Sequence, residues 1–200
     1  MKFQSKIISS KKDEFNTYLL ELERPENFKN PLPGQFALIQ IPNFFLRRPI
    51  TFYDLTEKAI IFCYQVKGNG LNTLSKMKTG EEVTWFGPYG KGLEIKPYQI
   101  RTDNLRHPAL HYLGKMTNSP IRPISEQISG TDQIIYALAG RIQNAYQNIT
   151  KESSPNSLLF CQETMGCGVG ACMSCVVTDK EGNRIKICQE GPFLKKERLL

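Results

Sequence analysis

What this 200-residue chain has little of narrows its reading first. No apolar run approaches the roughly 18 residues needed to cross a bilayer, so no transmembrane helix is expected. The opening residues, MKFQSKIISSKKDEF, carry positive charge but no apolar core, which argues against a cleaved secretory leader. The chain is therefore expected in the cytoplasm, where thiols stay reduced and clustered cysteines serve metal or redox chemistry rather than disulfides. Histidine occurs only twice, as His107 and His111. Both read as surface or packing residues in an irregular middle segment, and nothing supplies a nucleophile or general base for substrate chemistry. Repeats and low-complexity tracts are absent.

Acidic residues are the scarcer charge, 19 Asp and Glu against 26 Lys and Arg, for a net charge of +7. The basic residues are scattered and no nucleic-acid-reading motif accompanies them, so no nucleic acid partner is expected. The same charges suit an acidic redox partner or an anionic cofactor.

What is present reads as an α+β chain in three parts. Over residues 1–92, FNTYLLELER, GQFALIQIP, ITFYDL, AIIFCYQV and EEVTWFGP are short runs of β-branched and aromatic residues bounded by turn formers. Their spacing predicts a small antiparallel β-barrel. One or two helical turns are expected in NTLSKMKTGEE, with Gly80 as the stop. Residues 93–130 hold four prolines and little periodicity, which predicts irregular structure with a strand or two. TDQIIYALAG follows as a buried strand and RIQNAYQNITK as a helix, one βα unit in a part spanning 93–156. Residues 157–200 close the chain with a glycine-cysteine loop, a strand CVVTD, a turn at Gly182-Asn183 and a return strand RIKICQ.

Only Cys63 precedes residue 161, after which five cysteines crowd together. Cys167, Cys172, Cys175 and Cys188 have the spacing C-x4-C-x2-C-x12-C. That start matches the plant-type [2Fe-2S] pattern, in which four thiolates hold two irons. Three ligands on one short segment must curl around a compact cluster, and Gly166, Gly168 and Gly170 allow the chain to wrap closely about the sulfurs. Structural zinc is the main alternative, although zinc sites usually pair two CxxC knuckles. Cys161 and Cys63 read as buried thiols.

The run MGCGVGACMSCVV with KICQEGPFL closely resembles the C-terminal segment of the electron-transfer subunit of B-type dihydroorotate dehydrogenase. FFLRRPITFYD and GNGLNTLSKMKTGEEVTWFGPYGKG are similar to that family's flavin-binding stretches, within the ferredoxin-reductase superfamily. The resemblance implies an N-terminal FAD-binding barrel, a reduced α/β remnant and a C-terminal [2Fe-2S] domain. It implies that Arg48 and Thr51 hold the FAD pyrophosphate with Pro49 and Ile50 shaping the strand, and that Tyr64, Gln65 and Val66 flank the flavin or its adenosine. Gly68 and Gly70 precede the short helix and offer N–H groups to a phosphate, and Gly70 and Leu71 count among the cofactor-binding residues. Leu71 stands where the family usually has threonine.

The family carries an NAD-binding domain between barrel and cluster. Here 93–156 contains no G-x-G-x-x-G or GGG run, and LAG stands where the family has CGP. The resemblance therefore implies a heterotetramer with an FMN-containing dihydroorotate dehydrogenase catalytic subunit in pyrimidine biosynthesis, with electrons leaving to an unidentified acceptor other than NAD. Two other readings remain: an iron–sulfur scaffold or regulatory subunit without FAD, and an electron-transfer subunit of a different flavoprotein reductase.

Overall fold

The computed structural model describes residues 1–13, 17–127, 133–140 and 156–199. Six antiparallel strands close into a barrel in the order β1 (Lys2–Lys12), β2 (Thr17–Glu23), β5 (Ala59–Gln65), β4 (Arg48–Leu55), β3 (Phe36–Ile39) and β6 (Glu82–Tyr89). The expected barrel is there, with one strand more than its five apolar runs announced. β1 is rich in lysine and serine, yet its inward positions are Phe3, Ser5 and Ile7 and its outward ones Lys2, Gln4 and Lys6. It pairs with both β2 and β6 and so closes the barrel.

Aromatic packing fills the interior. Trp85 stacks on Phe3 with ring centroids 4.4 Å apart and meets Phe28 edge-on at 5.1 Å. The indole N–H, fully enclosed, donates to Ser5 Oγ at 3.1 Å. β3 departs from alternation, because all four of its residues are buried. Ala37 and Ile39 face the barrel core, while Phe36 and Leu38 face the cysteine-bearing segment packed outside. A strand covered on both faces reads as a continuous apolar run.

Helix α1 (Asn69–Ser75) begins and ends earlier than the sequence suggested. Gly80 does not stop it: its N–H donates to Ile7 O at 2.8 Å, in the turn that leads into β6.

Residues 93–130 are more regular than expected. The strands are β7 (Gln99–Thr102) and β8 (Ile121–Pro123), and between them runs a ten-residue helix, α2 (Pro108–Thr117). His107 caps its start, Pro108 occupies its first turn and Asn118 ends it at φ 50°. The helix buries Leu110 and Leu113 against the second sheet and Tyr112 against the barrel, where the phenol donates to Pro31 O at 2.9 Å. On β4, His111 stacks on Tyr53 at 4.3 Å and Lys115 pairs with Asp54 at 2.6 Å. The histidines therefore sit at a docking helix rather than in irregular chain, His107 capping its start and His111 packing on β4.

The second sheet has the order β13 (Phe193–Lys195), β10 (Leu158–Phe160), β9 (Ile134–Ala137), β7, β8. β10, β9, β7 and β8 run parallel, with β8 at one edge, and β13 pairs antiparallel at the other. The expected strand in IIYA is β9, buried throughout. The helix expected over 141–151 lies outside the described residues. A two-stranded hairpin, β11 (Val176–Thr178) and β12 (Arg184–Lys186), turns at Gly182 with φ 85°. The return strand is shorter than expected, because a helical turn, α3 (Ile187–Glu190), replaces its second half. Among the described residues no helix is long and apolar enough to cross a membrane.

The buried Trp85–Ser5 pair gives a direct stability test. Ser5→Ala leaves the indole donor without an acceptor and is expected to destabilise the protein by about 1–3 kcal/mol, read from urea unfolding.

Candidate functional site

The cysteine loop leaves β10 and folds back over the outer face of β3. Its turns use Gly168 at φ 69° and Gly170 at φ 81°, with Met173 also at positive φ. The loop is tight. A Cβ on Gly168 would lie 2.6 Å from Leu38 Cδ2, and one on Gly170 would lie 2.4 Å from the Gln189 amide carbon. Glycine is required for dihedral freedom at both, and for space at Gly168, where Leu38 is fully buried.

That wrapping aims backbone N–H groups at sulfur. Cys167 Sγ faces the N–H groups of Val169 at 3.4 Å, Ala171 at 3.2 Å and Cys172 at 3.3 Å. Cys172 Sγ faces the N–H of Cys167 at 3.3 Å and the Ser174 hydroxyl at 3.1 Å. Cys175 Sγ faces the N–H of Cys188 at 3.5 Å. The four thiols fall into two pairs, Cys167 with Cys172 near the surface and Cys175 with Cys188 in the core. Among the described residues no three Cys, His, Asp or Glu side chains are grouped for a single metal ion. A two-iron cluster asks for a different arrangement, since two bridging sulfides leave each iron two protein ligands. The donor set, two thiol pairs with N–H groups turned toward sulfur, fits such a group.

The environments differ sharply. Hydrogen bonds from Ser174, then from Cys167, pull the exposed Cys172 thiol down to about 6. Burial, and then the neighbouring Cys175, push Cys188 up to about 12. Cys188 stands on α3 rather than on the return strand expected to carry it, and α3 is tied back by the Ile187 N–H donating to Cys175 O at 3.1 Å. Cys161 and Cys63 are buried thiols as expected, with burial raising Cys161 far above the usual range and Cys63 to about 11.

Beside the loop, between barrel and second sheet, lies a cavity of about 640 Å³. Pro49, Ile50 and Thr51 of β4, Tyr64 and Gln65 of β5, and Leu71 of α1 all line it. Arg48, Val66 and Gly70 are not among its lining residues. Val66 packs on the barrel core, and the Arg48 guanidinium lies against Gly70, where a Cβ would come within 2.7 Å. Arg48 thus covers the start of α1, whose first turn has no side-chain cap. An arginine over uncapped N–H groups, beside an elongated cavity with apolar walls and a threonine, fits a flavin dinucleotide with its pyrophosphate at the rim. Leu71 brings an apolar side chain to the wall where a hydroxyl would offer a hydrogen bond.

Sequence reasoning missed the opposite wall. His107, Cys161, Met165 and Ile187 line the same cavity. Cys161 and Ile187 also belong to the core cluster that holds Cys175 and Cys188. Ile187 precedes Cys188 in the chain, so one residue step separates the cavity wall from the buried thiol pair.

Residues 162–200 match the family model described as the iron-sulfur cluster binding domain of dihydroorotate dehydrogenase B. The chain is 25% identical to the electron transfer subunit of dihydroorotate dehydrogenase B (NAD(+)) from Caldanaerobacter subterraneus, covering 100% of this chain and 98% of that protein. To the corresponding Listeria monocytogenes subunit it is 24% identical, over 84% of this chain and 87% of that one. The fold is similar to a solved NADH-dependent reduced ferredoxin-NADP oxidoreductase, with a TM-score of 0.76 at 17% identity over 98% of this chain and 89% of that one. Phthalate dioxygenase reductase gives a TM-score of 0.50 at 13% identity, over 80% of this chain and 60% of that one. The resemblance read from the motifs extends along the chain, and the fold is that of a ferredoxin reductase.

Two measurements probe the loop. Gly168 and Gly182 both have positive φ, but nothing lies within 4 Å of a Cβ at Gly182. Gly182→Ala is expected to cost about 1–2 kcal/mol of stability and keep its iron, whereas Gly168→Ala should purify with most of its iron lost. In cluster-free protein, iodoacetamide should label Cys172 first, with a rate that rises through about pH 6, while Cys188 stays slow to about pH 12.

Proposed function

We propose that this chain is an electron-transfer subunit that carries FAD and a [2Fe-2S] cluster in the cytoplasm. It accepts electrons from an FMN-containing dihydroorotate dehydrogenase catalytic subunit in a heterotetramer and passes them to an acceptor other than NAD. The observation that carries this reading is the step from Ile187, on the cavity wall, to Cys188, in the buried thiol pair. Two redox groups held there would be close neighbours in one dry core.

The cofactors supply the redox chemistry, the cluster handling single electrons and the flavin one or two. The chain positions and tunes. Cys167, Cys172, Cys175 and Cys188 are the thiolates that would hold iron. The N–H groups of Val169, Ala171 and Cys172 turn toward Cys167 and offset negative charge gathered on its sulfur. Arg48 and the first turn of α1 would bind the FAD pyrophosphate, while Pro49, Ile50, Tyr64 and Leu71 exclude water from one side of the ring system. Thr51 and Gln65 bring polar groups to the same wall. No side chain needs to act on dihydroorotate, since that chemistry belongs to the partner.

The relatives are named for NAD(+), so the acceptor is where this chain parts from them in our reading. Supporting the difference is the absence of a glycine-rich turn in 93–156.

Purification of the tagged chain with its co-expressed catalytic subunit tests the reading. Expected are about two irons per chain, FAD in the heat-released supernatant and a paramagnetic signal after dithionite. Folded complex without FAD would instead identify an iron–sulfur scaffold, and zinc in place of iron would overturn the relay.

A further inference from the structure

In a parallel α/β sheet, a dinucleotide sets its pyrophosphate at the turn between the first strand and the first helix, on free N–H groups that glycines leave uncovered. In this chain that turn is residues 103–107, DNLRH, between β7 and α2. It contains no glycine, and three of its five N–H groups have acceptors within the turn or at the end of β7. Asn104 N–H donates to Thr102 Oγ1 at 3.0 Å, Arg106 N–H to Asn104 Oδ1 at 3.1 Å, and His107 N–H to Asn104 O at 3.0 Å. In the first turn of α2, Ala109 N–H donates to His107 Nδ1 at 3.3 Å. Across the crevice, the N–H of Ala139, two residues beyond β9, is taken by the Asp103 carboxylate at 2.9 and 3.2 Å.

The His107 ring lies edge-on to Phe160 at 5.2 Å and meets the Gln162 amide, so it bridges α2 to the start of the cysteine loop along the wall of the cavity, which Asn104 and Arg106 also line. Burial pushes His107 down to about 4, so the ring is neutral at pH 7 and itself offers a phosphate no cation. The turn carries one charge of each sign, on Asp103 and Arg106.

We infer that residues 103–107 form a self-satisfied turn in which Asp103 and His107 hold the Ala139 and Ala109 N–H groups that the pyrophosphate of a nicotinamide dinucleotide would need, making these two residues determinants of acceptor specificity. The inference rests on the reading of the chain as a subunit whose acceptor is not NAD, and it assigns that property to two side chains rather than to missing sequence. A nicotinamide dinucleotide is disfavoured by contacts the chain makes with itself.

The test uses the FAD-loaded complex with its catalytic subunit. NADH is the redox probe, read as flavin bleaching, and ADP-ribose is the binding probe, read by calorimetry. The variants are Asp103→Ala, His107→Gly and the double substitution; glycine at 107 removes both the ring and the Nδ1 acceptor and is tolerated at a helix cap. Wild-type complex should bind ADP-ribose too weakly to saturate and bleach slowly with NADH. The double variant, with iron content and melting temperature retained, should bind ADP-ribose and bleach with NADH about tenfold better or more. Rapid bleaching of wild type would overturn both this inference and the reading it rests on. Slow wild type with no gain in a folded double variant would overturn this inference alone. Should the double variant lose iron or melt early, the two single variants decide, and no gain in either overturns the inference.

Discussion

The contact between Gly168 and Leu38 holds the two halves of the chemistry together. Leu38 points outward from the barrel, where a strand would ordinarily meet water, and the cysteine loop closes over it at a spacing that leaves no room for a Cβ. Everything on the cavity's far wall follows from that seating. With the loop down, α3 presents Ile187 to the cavity and Cys188 to the core. The same apolar cluster joins Phe36 and Leu38 of β3, Ile134 and Tyr136 of β9, and Val177 and Ile185 of the hairpin. Barrel, sheet and loop are thus anchored to one seam. A shift of any one would move both sites.

The sequence was most readable where period and spacing carry information locally. Five of the six barrel strands alternate or run apolar between turn residues, and the cysteine spacing points to metal or redox chemistry. It was least readable where tertiary contacts overrule local pattern. β1 is polar enough to pass for a surface segment, and only the partners on both sides make Phe3, Ser5 and Ile7 an inner face. α2 was hidden among prolines, although its own signals were present in Pro108 at the start and Asn118 at the end. Cys188 looked like a strand residue because KIC continues the alternation of β12, while the backbone turns helical to bring the thiol beside Cys175.

The residues that the resemblance assigned to a flavin show the same division. Pro49, Ile50, Thr51, Tyr64, Gln65 and Leu71 line one cavity. Arg48 and Gly70 lie against each other at the rim. The opposite wall comes from residues far along the chain, and no local signal marks Met165 or Ile187 as its neighbours. His107 is a further example, since its role depends on Phe160 and Gln162, more than fifty positions later.

The unequal seating of the thiol pairs has an electronic consequence on the proposed reading. Cys175 and Cys188 are 3% and 2% exposed, whereas Cys172 faces solvent and Cys167 collects three peptide N–H groups. Added negative charge is better stabilised where dipoles and water are near than in a dry interior. Iron held by these four thiolates would meet two unlike settings, one pair of sulfurs wet and ringed by N–H dipoles and the other dry.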